Sequence, residues 1–160
     1  MIRGLHHNAY RCRDSEETRK FYEDFLGLPL VNAFPIRETK SGRETHVLHS
    51  FYEMDDGSCL AFFEVPGGEF DFKEQHDYDL HIALEVERSQ LEPMIAKAKA
   101  AGVHVRGIAD HKSIDSIYFR DPNGYVIELT AKRPDHDEQL AQAKLVARQN
   151  LDSFQRDKLK

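Results

Sequence analysis

The chain has 160 residues, of which 40% are hydrophobic and 31% are charged, a balance typical of a folded globular protein of one domain. Its 22 Lys and Arg residues against 28 Asp and Glu residues give a net charge of −6, which argues against a nucleic-acid partner because it repels phosphate backbones. No apolar run approaches the roughly 20 residues that a bilayer requires, so we expect no membrane partner. The first residues lack the apolar core of a secretion signal, and we therefore expect a cytoplasmic protein.

The first half of the chain predicts a strand, a helix and then further strands. These elements are a strand at 5–12, a capped helix that ends at Gly27, and strands at 46–52 and 59–65. Asp14 and Glu17 have the spacing of a capping box, in which the Asp14 carboxylate accepts a hydrogen bond from the backbone of the first helical turn. Gly27 is typical of a helix end, and the Asp-Asp-Gly sequence at 55–57 is typical of a hairpin turn.

The second half repeats this order. Its elements are a strand at 80–86, a helix between Ser89 and Gly102, and strands at 116–120 and 125–130 around the turn Asp121-Pro122-Asn123-Gly124. Ser89 begins a second capping-box pattern. His7 and Gly27 are 20 positions apart, and His81 and Gly102 are 21 positions apart. The agreement indicates two copies of one plan, in which a strand and a helix precede two or three strands.

The repeat also predicts how the chain is organised. We expect a single domain at 1–132, composed of module one at 4–66, a linker at 67–78 and module two at 79–132. The remaining residues, 133–160, are helical in composition with a weak apolar stripe, and they predict a C-terminal helical extension.

Four ligand-type side chains lie on the first and last strands of the two halves. They are His7, Glu64, His81 and Glu128. Because side chains alternate along a strand, we expect all four on the sheet face turned away from the helices. Two imidazoles and two carboxylates suit one divalent ion, either Fe, Mn, Ni, Co or Zn. A bound ion would also remove the repulsion between two buried carboxylates.

The order of these motifs resembles the vicinal oxygen chelate superfamily, which contains glyoxalase I, extradiol dioxygenases, fosfomycin-resistance enzymes and bleomycin-resistance proteins. The matching pieces, within residues 4–132, are Leu5-His6-His7, Phe21-Tyr22, Leu26-Gly27, Phe63-Glu64, Leu80-His81-Ile82-Ala83 and the segment from Asp121-Pro122-Asn123-Gly124 to Ile127-Glu128. The resemblance implies an α+β fold of two paired βαβββ modules that form a U-shaped metal cleft. It also implies that the metal holds two neighbouring oxygens of a small-molecule substrate. Members of the family often dimerise, which makes a homodimer a candidate assembly.

The ligand set favours a glyoxalase-I-like lyase or isomerase within this family. A His, Glu, His, Glu set resembles bacterial glyoxalase I, in which a ligand carboxylate also moves the substrate proton, and Glu128 or Glu64 would take that role. Arg11 falls where glyoxalase has an arginine that holds a substrate carboxylate. Gly68 replaces an asparagine of the family, which counts against glutathione as the co-substrate.

Two other activities stay open. An Fe(II) extradiol ring-cleaving dioxygenase needs two histidines and a carboxylate, which His7, His81 and Glu128 would supply. That branch also has a catalytic tyrosine ten residues before the last ligand, which Tyr118 matches. It has a histidine further upstream, and His111 lies near that place, two residues closer than in the branch. A fourth ligand would however take a position that dioxygen needs. A non-catalytic drug-binding protein is the third activity, and the retained ligand residues argue against it.

Overall fold

The computed structural model describes residues 1–74 and 76–158, and it has an α+β fold in which the order strand, helix and three strands occurs twice. The strands are β1 (Tyr10–Cys12), β2 (Leu30–Glu38), β3 (Glu44–Glu53), β4 (Cys59–Glu64), β5 (His81–Glu85), β6 (Val105–Asp110), β7 (Ile114–Arg120) and β8 (Val126–Lys132). The helices are α1 (Ser15–Arg19), which continues as a π-helix (Lys20–Phe25), α2 (Leu91–Ala101), which follows a 3-10 turn (Arg88–Gln90), and α3 (His136–Asp157).

This element order confirms the predicted fold class of two βαβββ modules followed by a C-terminal helix. The predicted linker at 67–78 includes residue 75, and the predicted extension at 133–160 includes residues 159 and 160. Those three positions lie outside the described residues.

Each module forms its own four-stranded sheet. Sheet 1 has the order β1-β4-β3-β2, with β1 parallel to β4, and sheet 2 has the order β5-β8-β7-β6. The sequence did not delimit the edge strands β2 and β6. β2 pairs antiparallel with β3 from Leu30 and Tyr52 to Glu38 and Glu44, although most of its residues are exposed and Pro35 interrupts the pattern.

The two helix starts differ. The predicted cap of α1 is confirmed, because the Asp14 carboxylate accepts a hydrogen bond of 2.8 Å from the backbone N–H of Glu17. The predicted capping box of the second helix is wrong. Ser89 lies within the 3-10 turn, and Gln90 precedes α2 without a side-chain cap. Gly102, with φ of +68°, ends α2 as predicted.

The chain divides into two compact units, unit 1 at 1–80 with 120–126 and unit 2 at 81–119 with 127–160. Unit 1 has an aromatic core around the fully buried Tyr22, whose ring lies 4.7 Å from the Phe62 ring. The Tyr22 hydroxyl donates a hydrogen bond of 2.9 Å to the carboxylate of Asp121.

The core of unit 2 is aliphatic for the most part. Its buried apolar residues are Leu91, Ala98, Ile117, Phe119, Ile127, Leu129 and Ala131. The helix α3 belongs to unit 2, and none of its residues is buried. Within the described ranges, no helix combines the length and the apolar character that a membrane span needs.

Candidate functional site

His81 and Glu128 form the centre of a polar cluster on sheet 2. His81 begins β5, Glu128 lies within the neighbouring strand β8, and the His81 Nε2 atom is 3.3 Å from Glu128 Oε2. Ile127 and Leu129, on either side of Glu128, point into the core. The alternation of β8 places Glu128 on the face opposite Ile127 and Leu129, where its carboxylate meets the imidazole of His81.

A chain of hydrogen bonds extends from Glu128 across the same face. The Tyr118 hydroxyl, on β7, donates to Glu128 Oε1 at 3.2 Å, and it lies 2.7 Å from His111 Nε2. Because the Tyr118 hydroxyl donates its one proton to the carboxylate, it accepts from the N–H of His111. Burial, and next the Glu128 carboxylate, raise the pKa of Tyr118 above its ordinary value.

Arg106 completes the cluster on the edge strand. It pairs with Tyr118 in the register of β6 and β7, and its guanidinium lies 4.4 Å from the centre of the Tyr118 ring. A guanidinium over an aromatic face fixes the ring by a cation–π interaction. The open face of sheet 2, made of His81, Glu128, Tyr118, His111 and Arg106, is thus a connected polar surface.

The prediction that Glu64 shares a face with His7 is wrong. The register pairs Cys12 with Glu64 and His7 with Cys59, and the odd separation along β4 puts His7 and Glu64 on opposite faces. The Glu64 carboxylate accepts hydrogen bonds from the hydroxyl of Ser15 and, at 2.7 Å, from its backbone N–H. Ser15 opens α1, so this carboxylate satisfies donors at a helix N-terminus.

His7 lies on the open face of sheet 1 among aromatic rings. Its imidazole is 5.5 Å from the Phe51 ring and 6.3 Å from the His49 ring, and its Nδ1 atom is 2.7 Å from that of His6. His49 is 6% exposed, stacks on Phe63 at 3.7 Å and contacts the Phe62 carbonyl oxygen through Nδ1 at 3.0 Å. Sequence reasoning did not single out His49, although its parity with Phe51 in β3 is a signal that could have found it.

Arg11 shares this face with Phe63, its partner in the register of β1 and β4. Its backbone carbonyl accepts a hydrogen bond of 3.0 Å from the Tyr125 hydroxyl. The Nε atom of its guanidinium is buried, and it has no hydrogen-bond partner among the described residues. A Cβ at Gly68 would lie 3.4 Å from Nη2 and 3.1 Å from the carbonyl oxygen of Val65, so Gly68 packs closely beside both groups.

The donor set of the polar cluster suits a divalent cation. Two ligand atoms that each lie about 2.1 Å from one ion, at a right angle, are about 3 Å apart, close to the separation of His81 Nε2 and Glu128 Oε2. Within residues 1–74 and 76–158, no three His, Cys, Asp or Glu side chains form a group that could hold a metal ion. Of the predicted four-ligand group, the structure brings His81 and Glu128 together within unit 2.

Comparison with known proteins identifies a family and two similar curated proteins. Residues 4–129 match the family model described as "Glyoxalase/Bleomycin resistance protein/Dioxygenase superfamily". The chain is 29% identical over 154 residues to "Metallothiol transferase FosB" of Shouchella clausii, covering 91% of this chain and 94% of that protein. It is 30% identical over 132 residues to "Metallothiol transferase FosB" of Bacillus licheniformis, covering 80% and 75% respectively.

A solved structure shows the same fold. The fosfomycin resistance protein FosX from Listeria monocytogenes, complexed with Mn(II) and sulfate, superposes with a TM-score of 0.63 at 20% identity. The match covers 86% of this chain and 98% of that one.

Proposed function

Since this chain belongs to the Glyoxalase/Bleomycin resistance protein/Dioxygenase superfamily, we propose that His7, His81 and Glu128 hold a divalent metal ion at which a small oxygen-chelating substrate reacts. The chain is an enzyme of this superfamily. The observation that carries the metal site is the convergence of His81 and Glu128 at 3.3 Å, backed by the hydrogen bond from Tyr118. When bound, a metal in this set would polarise two neighbouring substrate oxygens and stabilise the negative charge that develops on them.

The residues around the pair have separate tasks. Tyr118 fixes one oxygen of Glu128, which leaves the other oxygen next to His81. His111 donates to the Tyr118 hydroxyl and can resupply its proton if that hydroxyl gives one to the substrate. Arg106 holds the Tyr118 ring in place from β6.

The reaction that the curated relatives suggest is the transfer of a thiol. Both are named metallothiol transferases, at 29% and 30% identity. In such a step the thiolate sulfur bonds to a substrate carbon, the carbon–oxygen bond breaks, and a proton neutralises the released oxygen. The Tyr118 hydroxyl, with His111 behind it, is a donor for that proton.

The test begins with the purified chain and elemental analysis after reconstitution with Mn, Fe, Co, Ni or Zn. The loaded protein is then incubated with fosfomycin and cysteine, and mass spectrometry seeks the thiol adduct. We expect one ion per site and the adduct mass. A chain that never retains a divalent ion contradicts the metal site, whereas a loaded chain without adduct contradicts thiol transfer alone.

The absence of Glu64 from the proposed ligand set favours a second reaction, extradiol ring cleavage. With Glu64 bonded to Ser15, the proposed set contains two histidines and one carboxylate, which is the ligand pattern of non-haem Fe(II) oxygenases and leaves positions for oxygen. The glyoxalase-like lyase or isomerase loses its fourth ligand by the same observation, and retains Glu128 as its proton-transferring carboxylate. Oxygen uptake with catechols by the Fe(II)-loaded protein, or loss of a dicarbonyl with glutathione, distinguishes these two reactions from thiol transfer.

We also propose that a second copy of the chain completes the site. Members of this superfamily often dimerise, and in such a dimer His7 of one copy would join the His81–Glu128 pair of the other. Mixing refolded His7→Ala and His81→Ala chains tests this. Random pairing should restore about a quarter of the metal sites, because half of the dimers are mixed and each mixed dimer has one intact set. If every set came from a single chain, the mixture would restore none.

A further inference from the structure

We infer that the open face of sheet 1 binds a planar aromatic anion, whose ring stacks along a row of aromatic side chains and whose carboxylate meets Arg11. The inference goes beyond the proposed function and does not depend on the metal site. All of the residues that carry it belong to unit 1.

The aromatic row crosses the whole of sheet 1. Phe34 on β2 pairs with His49 on β3, His49 pairs with Phe63 on β4, and Phe63 pairs with Arg11 on β1. Paired residues in neighbouring strands project on the same face, so the four side chains form one line that ends in a guanidinium. We call Phe34, His49 and Phe63, with Phe51 beside them, the aromatic row.

The rings of the aromatic row contact one another. The His49 and Phe63 rings stack at 3.7 Å with 12° between their planes, and the Phe34 and Phe51 rings stack at 6.0 Å with 20° between theirs. Phe34 is 39% exposed at the edge of the sheet, whereas Phe51 and Phe63 are half-buried. A flat apolar molecule would extend this stack and remove the remaining ring surface from water.

The Arg11 end of the row gives the molecule its charge. A buried guanidinium N–H without a hydrogen-bond acceptor is unfavourable, and Nε of Arg11 is in that state among the described residues. A carboxylate accepts two parallel hydrogen bonds from a guanidinium, one of them from Nε. Gly68 lies beside this guanidinium, since a Cβ there would be 3.4 Å from Nη2.

The row therefore selects by two features at once. A ring without an anion satisfies the stack and leaves Nε unpaired. An aliphatic anion pairs with Arg11 and leaves the aromatic surface uncovered. A planar aromatic carboxylate, or a ring carrying a similar flat anion, does both.

The experiment measures binding to the chain after its metal has been removed with a chelator, so that coordination contributes nothing. Equilibrium dialysis gives dissociation constants for 2-naphthoate, for the neutral 2-naphthalenemethanol and for the aliphatic cyclohexanecarboxylate. We expect 2-naphthoate to bind roughly tenfold more tightly than either of the other two, the size of one charge-assisted contact or one good ring stack.

Two substitutions divide the effect. Arg11→Gln should weaken 2-naphthoate binding by roughly tenfold and leave 2-naphthalenemethanol unchanged, because the alcohol does not use the charge. Phe34→Ala should weaken both naphthalenes by several-fold and spare cyclohexanecarboxylate. The matched controls are Arg13→Gln, an exposed arginine that pairs with Glu17, and Phe154→Ala, an exposed ring on α3. Neither control should change any of the constants.

Thermal melting checks that each variant folds. If Arg11→Gln does not fold, Arg11→Lys replaces it, and it should keep a reduced preference for the anion because it retains the charge without the planar fork. Equal binding of the three probes to the wild-type chain overturns the inference, as does an Arg11 variant with unchanged 2-naphthoate binding. A chain that holds metal but does not bind 2-naphthoate refutes this inference and leaves the proposed function intact. A chain that binds 2-naphthoate but never retains a divalent ion supports this inference and refutes the proposed metal site.

Discussion

The two modules share one βαβββ order and differ in what their open faces carry. Sheet 1 presents aromatic rings and one guanidinium, whereas sheet 2 presents the hydrogen-bonded chain from His81 to His111. The corresponding carboxylates have also diverged, since Glu64 binds the start of α1 while Glu128 faces His81. A duplicated fold can thus keep its backbone plan while the open face of one copy carries an aromatic row and that of the other carries a connected polar surface.

The two carboxylates, Glu64 and Glu128, should differ most in their contribution to metal binding. Glu128→Gln should weaken the retention of a divalent ion by about 100-fold or more, because it removes a charged ligand. Glu64→Gln should change metal retention little, since that carboxylate bonds to Ser15. Competition with a fluorescent chelator measures both variants. Equal loss of metal in the two would return Glu64 to the ligand set.

The two corresponding hairpin turns give the next largest contrast. Gly57 and Gly124 both have positive φ, +81° and +95°, so alanine is strained at either position. A Cβ at Gly57 has open space, whereas a Cβ at Gly124 would lie 2.5 Å from the backbone nitrogen of Lys73. We expect Gly57→Ala to lower the free energy of unfolding by about 1 kcal/mol and Gly124→Ala by about 3 kcal/mol, measured by urea denaturation. Similar losses of unfolding free energy in both variants would show that the backbone around Lys73 can move away from the new Cβ at little cost.

The helix starts give the smallest contrast. Asp14→Ala removes the cap of α1 and should lower the free energy of unfolding by about 1 kcal/mol. Ser89→Ala removes no cap, because α2 begins without a side-chain hydrogen bond, and should cost less than about 0.5 kcal/mol. Paired thermal melts compare the two. A larger loss for Ser89→Ala would mean that its hydroxyl caps α2 in solution.

The sequence predicted the features that depend on local spacing. The repeated element order, the cap at Asp14 and the helix end at Gly102 follow from patterns within a few residues. The choice of Tyr118 came from the resemblance to the extradiol branch, and the structure brings its hydroxyl to Glu128.

The features that depend on tertiary contacts were missed. The sequence of β4 shows which residues alternate between its two faces. Because the adjacent residues Phe62 and Phe63 are both aromatic, it does not show which face packs on the helix. The structure resolves this choice through the contact of Phe62 with Tyr22, and Glu64 follows Phe62 to the helix side. The aromatic row escaped notice for a related reason, since it requires the register of β2, whose exposed residues show no strand pattern.

The return of residues 120–126 to unit 1 limits how the polypeptide could be divided. A fragment that stopped at residue 80 would contain Tyr22 without Asp121, and a fully enclosed phenol would face no acceptor. It would also lack Asn123, whose side-chain oxygen accepts a hydrogen bond from the backbone N–H of Arg13. Although the sequence repeats one element order in its two halves, seven residues of the second half, 120–126, pack in unit 1. We therefore expect the two halves to aggregate when they are expressed separately.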